Sequence, residues 1–372
     1  MMSQSHRSTR VIAAAGLDEI ISSLAREGYR VIGPRLRDDA IIYDEINSAA
    51  DLPRGVLDEQ SGGRYRTYRE GEAYFGYVVG PSSWKRYLHP PRQVLWRADD
   101  GEGGVSIRAE PIAGERYAFL GVRSCELAAI ATQDRVLMAG AYGDPHYAAR
   151  RNGAFIVAVN CGRAAETCFC TSMGTGPRAH GGYDLALTEI VTGENAAFLV
   201  EAGSERGQSL IEGLSSREAN DGDVEAAVQV AARAASQIKR EIDREGLSEL
   251  VKAKHDHPRW DDVAARCLNC ANCTMVCPTC FCTTVEDVSE LQSAATARVQ
   301  RWESCFTTDF SYIHGGAVRS SPVSRYRQWL THKLGTWHDQ FGQSGCTGCG
   351  RCITWCPVGI DITEEAAALR GG

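Results

Sequence analysis

The chain has 372 residues, 43% hydrophobic and 23% charged, the balance of an ordinary globular protein long enough for more than one domain. A formal net charge of −7 offers no general attraction to nucleic acid. No stretch approaches the ~18 uninterrupted apolar residues of a membrane span, so no span is expected. The polar opening, 1–10, has no apolar core of a secretory leader, and a cytoplasmic location is expected. Thiols stay reduced there, and an odd total of 15 cysteines reads as metal ligands rather than as disulfides.

Taken in chain order, Leu17, Ile20, Ile21 and Leu24 recur at helical spacing, and Gly28 is placed to end that helix before a strand over 29–32. Short apolar runs follow at 40–43, 74–79, 117–122, 155–159, 185–190 and 197–200, separated by Gly, Asp and Pro. They predict an α/β domain over 1–215. Ala226, Ala227, Val230, Ala231, Ala234, Ile238 and Ile242 predict a helical connector over 216–260, broken at Gly246. The remainder, 261–372, holds most of the cysteines and reads as a mainly α-helical two-cluster ferredoxin-like domain, with helix in parts of 285–299 and 326–334. The fold class is α+β.

Cys267, Cys270, Cys273 and Cys277, followed by Pro278, spell C-x2-C-x2-C-x3-C-P, and Cys346, Cys349, Cys352 and Cys356, followed by Pro357, spell it again. Three thiolates at this spacing wrap one face of a 4Fe-4S cubane, and the fourth ligates the other cluster of a two-cluster ferredoxin. The expected ligand sets are therefore Cys267, Cys270, Cys273 with Cys356, and Cys346, Cys349, Cys352 with Cys277. Zinc knuckles are the alternative, but a zinc site has no use for a third cysteine and a Cys-Pro, repeated twice. Gly345, Gly348 and Gly350 either bring backbone N–H groups to cluster sulfur or are ordinary turn glycines.

Seven cysteines remain. Cys125 and Cys161 each follow a strand-like run, and strand ends of an α/β sheet converge on one crevice. With Cys168 and Cys170 they make either a third cluster site or a set of buried thiols. Gly174-Thr175-Gly176 reads as a turn beside Cys170. Cys280, Cys282 and Cys305 either bind a fourth cluster, with Asp309 or His314 as a non-cysteine ligand, or flank the ferredoxin clusters as packing thiols. Arg319, Arg325, Arg327 and Lys333 read as a solvated basic face, with charge compensation beside clusters as the alternative. His255 and His257 read as linker surface. Neither a Rossmann glycine fingerprint, a phosphate loop nor a zinc-hydrolase motif is present, which favours electron relay over hydride chemistry.

Several segments together carry a resemblance. They are 17–29, 40–46, Gly121-Val122-Arg123-Ser124-Cys125, Cys168-Phe169-Cys170-Thr171-Ser172-Met173-Gly174 and Cys277-Pro278-Thr279-Cys280-Phe281-Cys282. The chain resembles the beta subunits of bidirectional, sulfhydrogenase-type NiFe hydrogenases and is similar to a related subunit of anaerobic sulfite reductase. Ser124 stands where the family pattern has proline. The resemblance implies an iron-sulfur electron-transfer subunit placed between the small and large subunits of a NiFe hydrogenase and a flavin- and NAD(P)-binding subunit. The alternative is a sulfite or sulfur reductase subunit with chemistry at an extra cysteine-ligated cluster.

Overall fold

The computed structural model describes residues 9–101, 104–112, 114–193, 195–289 and 295–371. Strands Tyr117–Val122 and Phe155–Val159 are buried at every position, as expected for unbroken apolar runs covered on both faces. They pair in parallel with each other, and outward with Arg30–Arg37 on one side and Leu185–Thr192 on the other. Antiparallel strands Asn195–Ala202, Thr9–Ala13 and Arg217–Glu218 extend one edge, and Ala40–Glu45 closes the other. Helix Gly16–Arg26 buries Leu17, Ile20, Ile21 and Leu24 against this sheet. Gly28 follows it at φ +83, where a side chain would be strained, and turns the chain into the next strand.

Three expectations fail for visible reasons. Residues 74–79 form no strand; carboxylates replace ladder partners, with Glu189 accepting from the amides of Tyr74 (2.6 Å) and Phe75 (2.9 Å) and Asp58 from that of Val78 (2.6 Å). The connector helix, Asp221–Gln237, stops well before Gly246. Beyond it the chain is pulled extended by tertiary contacts, Arg240 pairing with Asp361 and Ile242 N–H donating to Ser172 Oγ at 3.3 Å. A second helix, Leu247–Ala253, begins after Gly246.

The third failure lies between the ferredoxin motifs. Helix was expected within 285–299, but Thr283–Ser289 and Thr296–Trp302 form an antiparallel hairpin, and 290–294 lie outside the described residues. Alternating β-branched and polar residues fit a strand better than a helix here. The hairpin pairs with Arg92–Gly101, which pairs in turn with Gly104–Ala109, so a four-stranded sheet joins the two halves of the sequence. Helix Pro322–Thr331 and the wider turn His332–Thr336 do cover 326–334.

The two halves also meet through a buried ion pair. Arg351, from inside the second cysteine motif, donates to Glu126 at 2.5 Å, and both side chains are 1% exposed. Arg351 also donates to the carbonyls of Gly80 and Ser82, and Glu126 accepts from Tyr43, Trp84 and the Arg123 amide. Removing one partner of such a pair strands the other as a buried charge, at a cost of about 3–5 kcal/mol. Glu126→Ala is therefore expected to lower stability by that amount in denaturant unfolding, and a Glu126→Leu/Arg351→Met double variant to regain most of it. A single variant as stable as the parent would contradict the assignment.

Candidate iron-sulfur centres

Both cysteine motifs fold into the same backbone shape. The second and fourth residues after the first cysteine are left-handed in each: Asn269 (φ 52) and Ala271 (φ 65), then Gly348 (φ 66) and Gly350 (φ 77). A short helix follows each time, Asn272–Met275 and Arg351–Thr354. The left-handed turns aim backbone amides at sulfur. Asn269 N–H donates to Cys267 Sγ and Gly348 N–H to Cys346 Sγ, both at 3.4 Å, and Ile360 N–H donates to Cys356 Sγ at 3.3 Å. The matching shape in two unlike sequences argues that it serves the sulfurs, because Ala271 holds it against a cost of ~1–2 kcal/mol.

Cys267, Cys270, Cys273, Cys352 and Cys356 line a single pocket with Tyr326 and Trp329. Cys346 lies in electrostatic reach of Cys349 and Cys277, and Cys352 in reach of all three. The fourth cysteine of each motif thus lies with the first three of the other. Tyr326 Oη and Trp329 Nε1 are buried without a partner, donors suited to the sulfur of an inorganic cluster. Burial pushes the Cys346 thiol up to about 12 and those of Cys273 and Cys352 well above the ordinary range. A metal ligand must be deprotonated, so metal binding here would displace these protons.

The N-terminal cysteines also converge. Cys125, at the start of helix Ser124–Leu137, packs with Cys168 and Cys170 in one buried cluster that Cys349 borders, and Cys161 lies in electrostatic reach. Phe169, between two of these thiols, points instead into the core of the C-terminal part. Its N–H donates to Gly348 O at 2.9 Å. The Gly174–Gly176 turn closes over the group, since a Cβ on Gly176 would meet Cys170 Sγ at 3.2 Å. Burial drives the Cys125 thiol well up and that of Cys168 to about 12.

Cys280, Cys282 and Cys305 share a third pocket with Glu303, His332 and Lys333. Asp309 and His314, expected as fourth ligands, are exposed and do not line it. Both sit in the loop after Cys305, whose direction spacing could not reveal. The basic stretch is not a solvated face either: Arg325 and Lys333 are buried, and Lys333 Nζ lies 3.4 Å from Cys277 Sγ and donates to Thr279 Oγ1 at 3.0 Å. Cys277 Sγ lies 3.1 Å from Thr279 Oγ1, and Cys280, Lys333 and Thr279 together hold the Cys277 thiol well below the ordinary range despite burial. A residue that the sequence did not mark, Lys85, enters from the other half, its Nζ 3.0 Å from Cys280 O and 3.8 Å over the Trp302 ring.

Among the described residues, no three or more His, Cys, Asp or Glu side chains close tightly enough to hold a single metal ion. The cysteines as placed thus do not close on one zinc ion in the manner of a zinc knuckle. A cubane, whose thiolates attach at separate corners, suits that arrangement, the amide donors and the buried polar tips.

Two substitutions test the shared backbone shape. Ala271→Gly removes left-handed strain and adds unfolded-chain freedom, so a net gain of about 0.5–1 kcal/mol is expected in thermal unfolding. Gly348→Ala combines φ +66 with a Cβ 2.7 Å from the Cys170 backbone, and a loss of about 1–3 kcal/mol is expected. A destabilised Ala271→Gly protein, or a Gly348→Ala protein as stable as the parent, would contradict the shared geometry.

Residues 266–360 match the family described as a 4Fe-4S dicluster domain. The chain is 28% identical over 351 residues to the protein named sulfhydrogenase 2 subunit beta of Pyrococcus furiosus, an alignment covering 93% of this chain and 94% of that one. No solved structure matches it. Among the described residues, no helix is long and apolar enough to cross a membrane. A dicluster match in the C-terminal part and a relative aligned along almost all of the chain's length make the chain similar to a sulfhydrogenase beta subunit and support an iron-sulfur electron-transfer role.

Proposed function

We propose that this chain is the wiring subunit of a cytoplasmic hydrogenase complex. It carries single electrons between the small and large subunits of a NiFe hydrogenase and a flavin- and NAD(P)-binding subunit. In this reading 4Fe-4S clusters sit on Cys267, Cys270, Cys273 and Cys356, on Cys346, Cys349, Cys352 and Cys277, and on Cys125, Cys161, Cys168 and Cys170. The observation that carries it is the interlocking of the two motifs, which puts Cys356 in the pocket of Cys267, Cys270 and Cys273. The relative's name supports a place in a hydrogenase.

The clusters supply one-electron exchange; everything else is the work of the chain. Amides of Asn269, Gly348 and Ile360 donate to thiolate sulfur and favour the more negative, reduced state. Arg351, fully buried in electrostatic reach of Cys349 and Cys125, places positive charge between two of the cysteine groups. Trp329, Tyr326 and Phe306 wall the first pocket with aromatic rings and keep water from it.

Cys356→Ala in the intact complex is expected to remove one cluster's worth of iron. It should slow hydrogen-driven NAD(P)+ reduction by more than about tenfold, ~1.4 kcal/mol or more in barrier. Hydrogen-driven dye reduction at the NiFe subunit should persist. An unchanged physiological rate with iron lost, or purification free of any flavin or hydrogenase partner, would refute the wiring role.

A further inference from the structure

Two lysines in this protein are buried to the same degree, 5% exposed, and converge on one set of cysteines. Lys333 Nζ reaches Cys277 Sγ, Thr279 Oγ1 and Gly345 O, and Lys85 Nζ reaches Cys280 O and the face of Trp302. Among the described residues, neither pairs with a carboxylate. Glu303, in the same pocket, is engaged by the Ser304 amide, the Thr307 hydroxyl and Arg301 at 3.9 Å. An ammonium taken out of water costs several kcal/mol unless an anion faces it, and here two are gathered within reach of Cys277, Cys280 and Cys282. Three neutral packing thiols would not offset that charge, whereas a metal-thiolate centre would.

We propose that Cys280, Cys282 and Cys305 bind a further iron-sulfur centre, with Lys85 and Lys333 as its counter-ions and with Lys333 shared with the neighbouring ferredoxin-type site through Cys277. The proposal rests on the assignment of clusters to the two ferredoxin motifs. Three cysteines leave one position without a thiolate. His332 and Glu303 line the same pocket, and His332 Nε2 lies 3.0 Å from Gln340 while one Glu303 oxygen accepts from the Ser304 amide, so neither is committed to that position. Cys277 and Cys280 are three residues apart and Lys333 lies in electrostatic reach of both, so the sharing of Lys333 couples the potentials of the two centres. Phe281, between Cys280 and Cys282, lines the same pocket and packs against Trp337 and Phe341.

The test uses the purified complex, with iron and acid-labile sulfide quantitation and a redox titration followed by EPR. Cys282→Ala/Cys305→Ala is expected to lose one cluster's worth of iron and one EPR signal and to leave the others in place. Lys333→Met is expected to move two signals to lower potential, the lost one and one other, because removing a positive charge disfavours the reduced form. Lys85→Met should move the first by more than the second, and Lys333→Arg should restore both. Unchanged iron in the cysteine variant, or a Lys333→Met effect on a single signal or none, overturns the proposal. Should the cysteine variant not assemble, the parent complex decides: a titrating centre in this subunit beyond those of the two ferredoxin motifs and the group of Cys125, Cys161, Cys168 and Cys170 supports the proposal, and none beyond them overturns it. Absence of iron from the ferredoxin motifs themselves would instead defeat the assignment on which the proposal rests.

Discussion

A metal-thiolate cluster inside a protein is a buried anion, and charge compensation is the constraint on which this fold depends. Arg351, Lys333 and Lys85 are all buried beside cysteine sulfur or its backbone, where uncompensated cations would be prohibitive. Arg351 has Glu126 as its partner, and that pair is also the seam between the α/β sheet and the ferredoxin motifs. Among the described residues the lysines have no such carboxylate, so their stability is tied to the cysteines.

The same seam brings the redox groups together. Gly348 and Gly350 have no room for a side chain, because a Cβ would fall 2.7 Å from the Cys170 backbone and 2.5 Å from Thr167 O. Only glycine lets the second motif lie against the Cys168-Phe169-Cys170 segment. Cys349 then borders the N-terminal group, and Cys352 lines the pocket of Cys267, Cys270, Cys273 and Cys356. The second motif therefore adjoins both of these cysteine groups.

Much of this was legible in sequence where chemistry and spacing coincide. The cysteine spacing indicated the paired motifs, and the unbroken apolar runs 117–122 and 155–159 indicated central strands. The grouping of Cys125 with Cys168 and Cys170 followed from strand ends. What stayed hidden depended on long-range contact. Lys85 and Lys333 look like any surface lysines, and nothing local marks Arg351 as buried. The strand pairing of Thr283–Ser289 with Thr296–Trp302 needed Arg92–Gly101 as a partner from far upstream. Asp309 and His314 were proposed on proximity in sequence alone, and the chain turns them to solvent.

The most direct measurement is the metal and sulfide content of protein prepared without exposure to oxygen, read together with its Mössbauer spectrum. The account requires iron and acid-labile sulfide in equal amounts, with the spectrum of 4Fe-4S centres and no stoichiometric zinc. Colourless protein carrying zinc and no sulfide would contradict it.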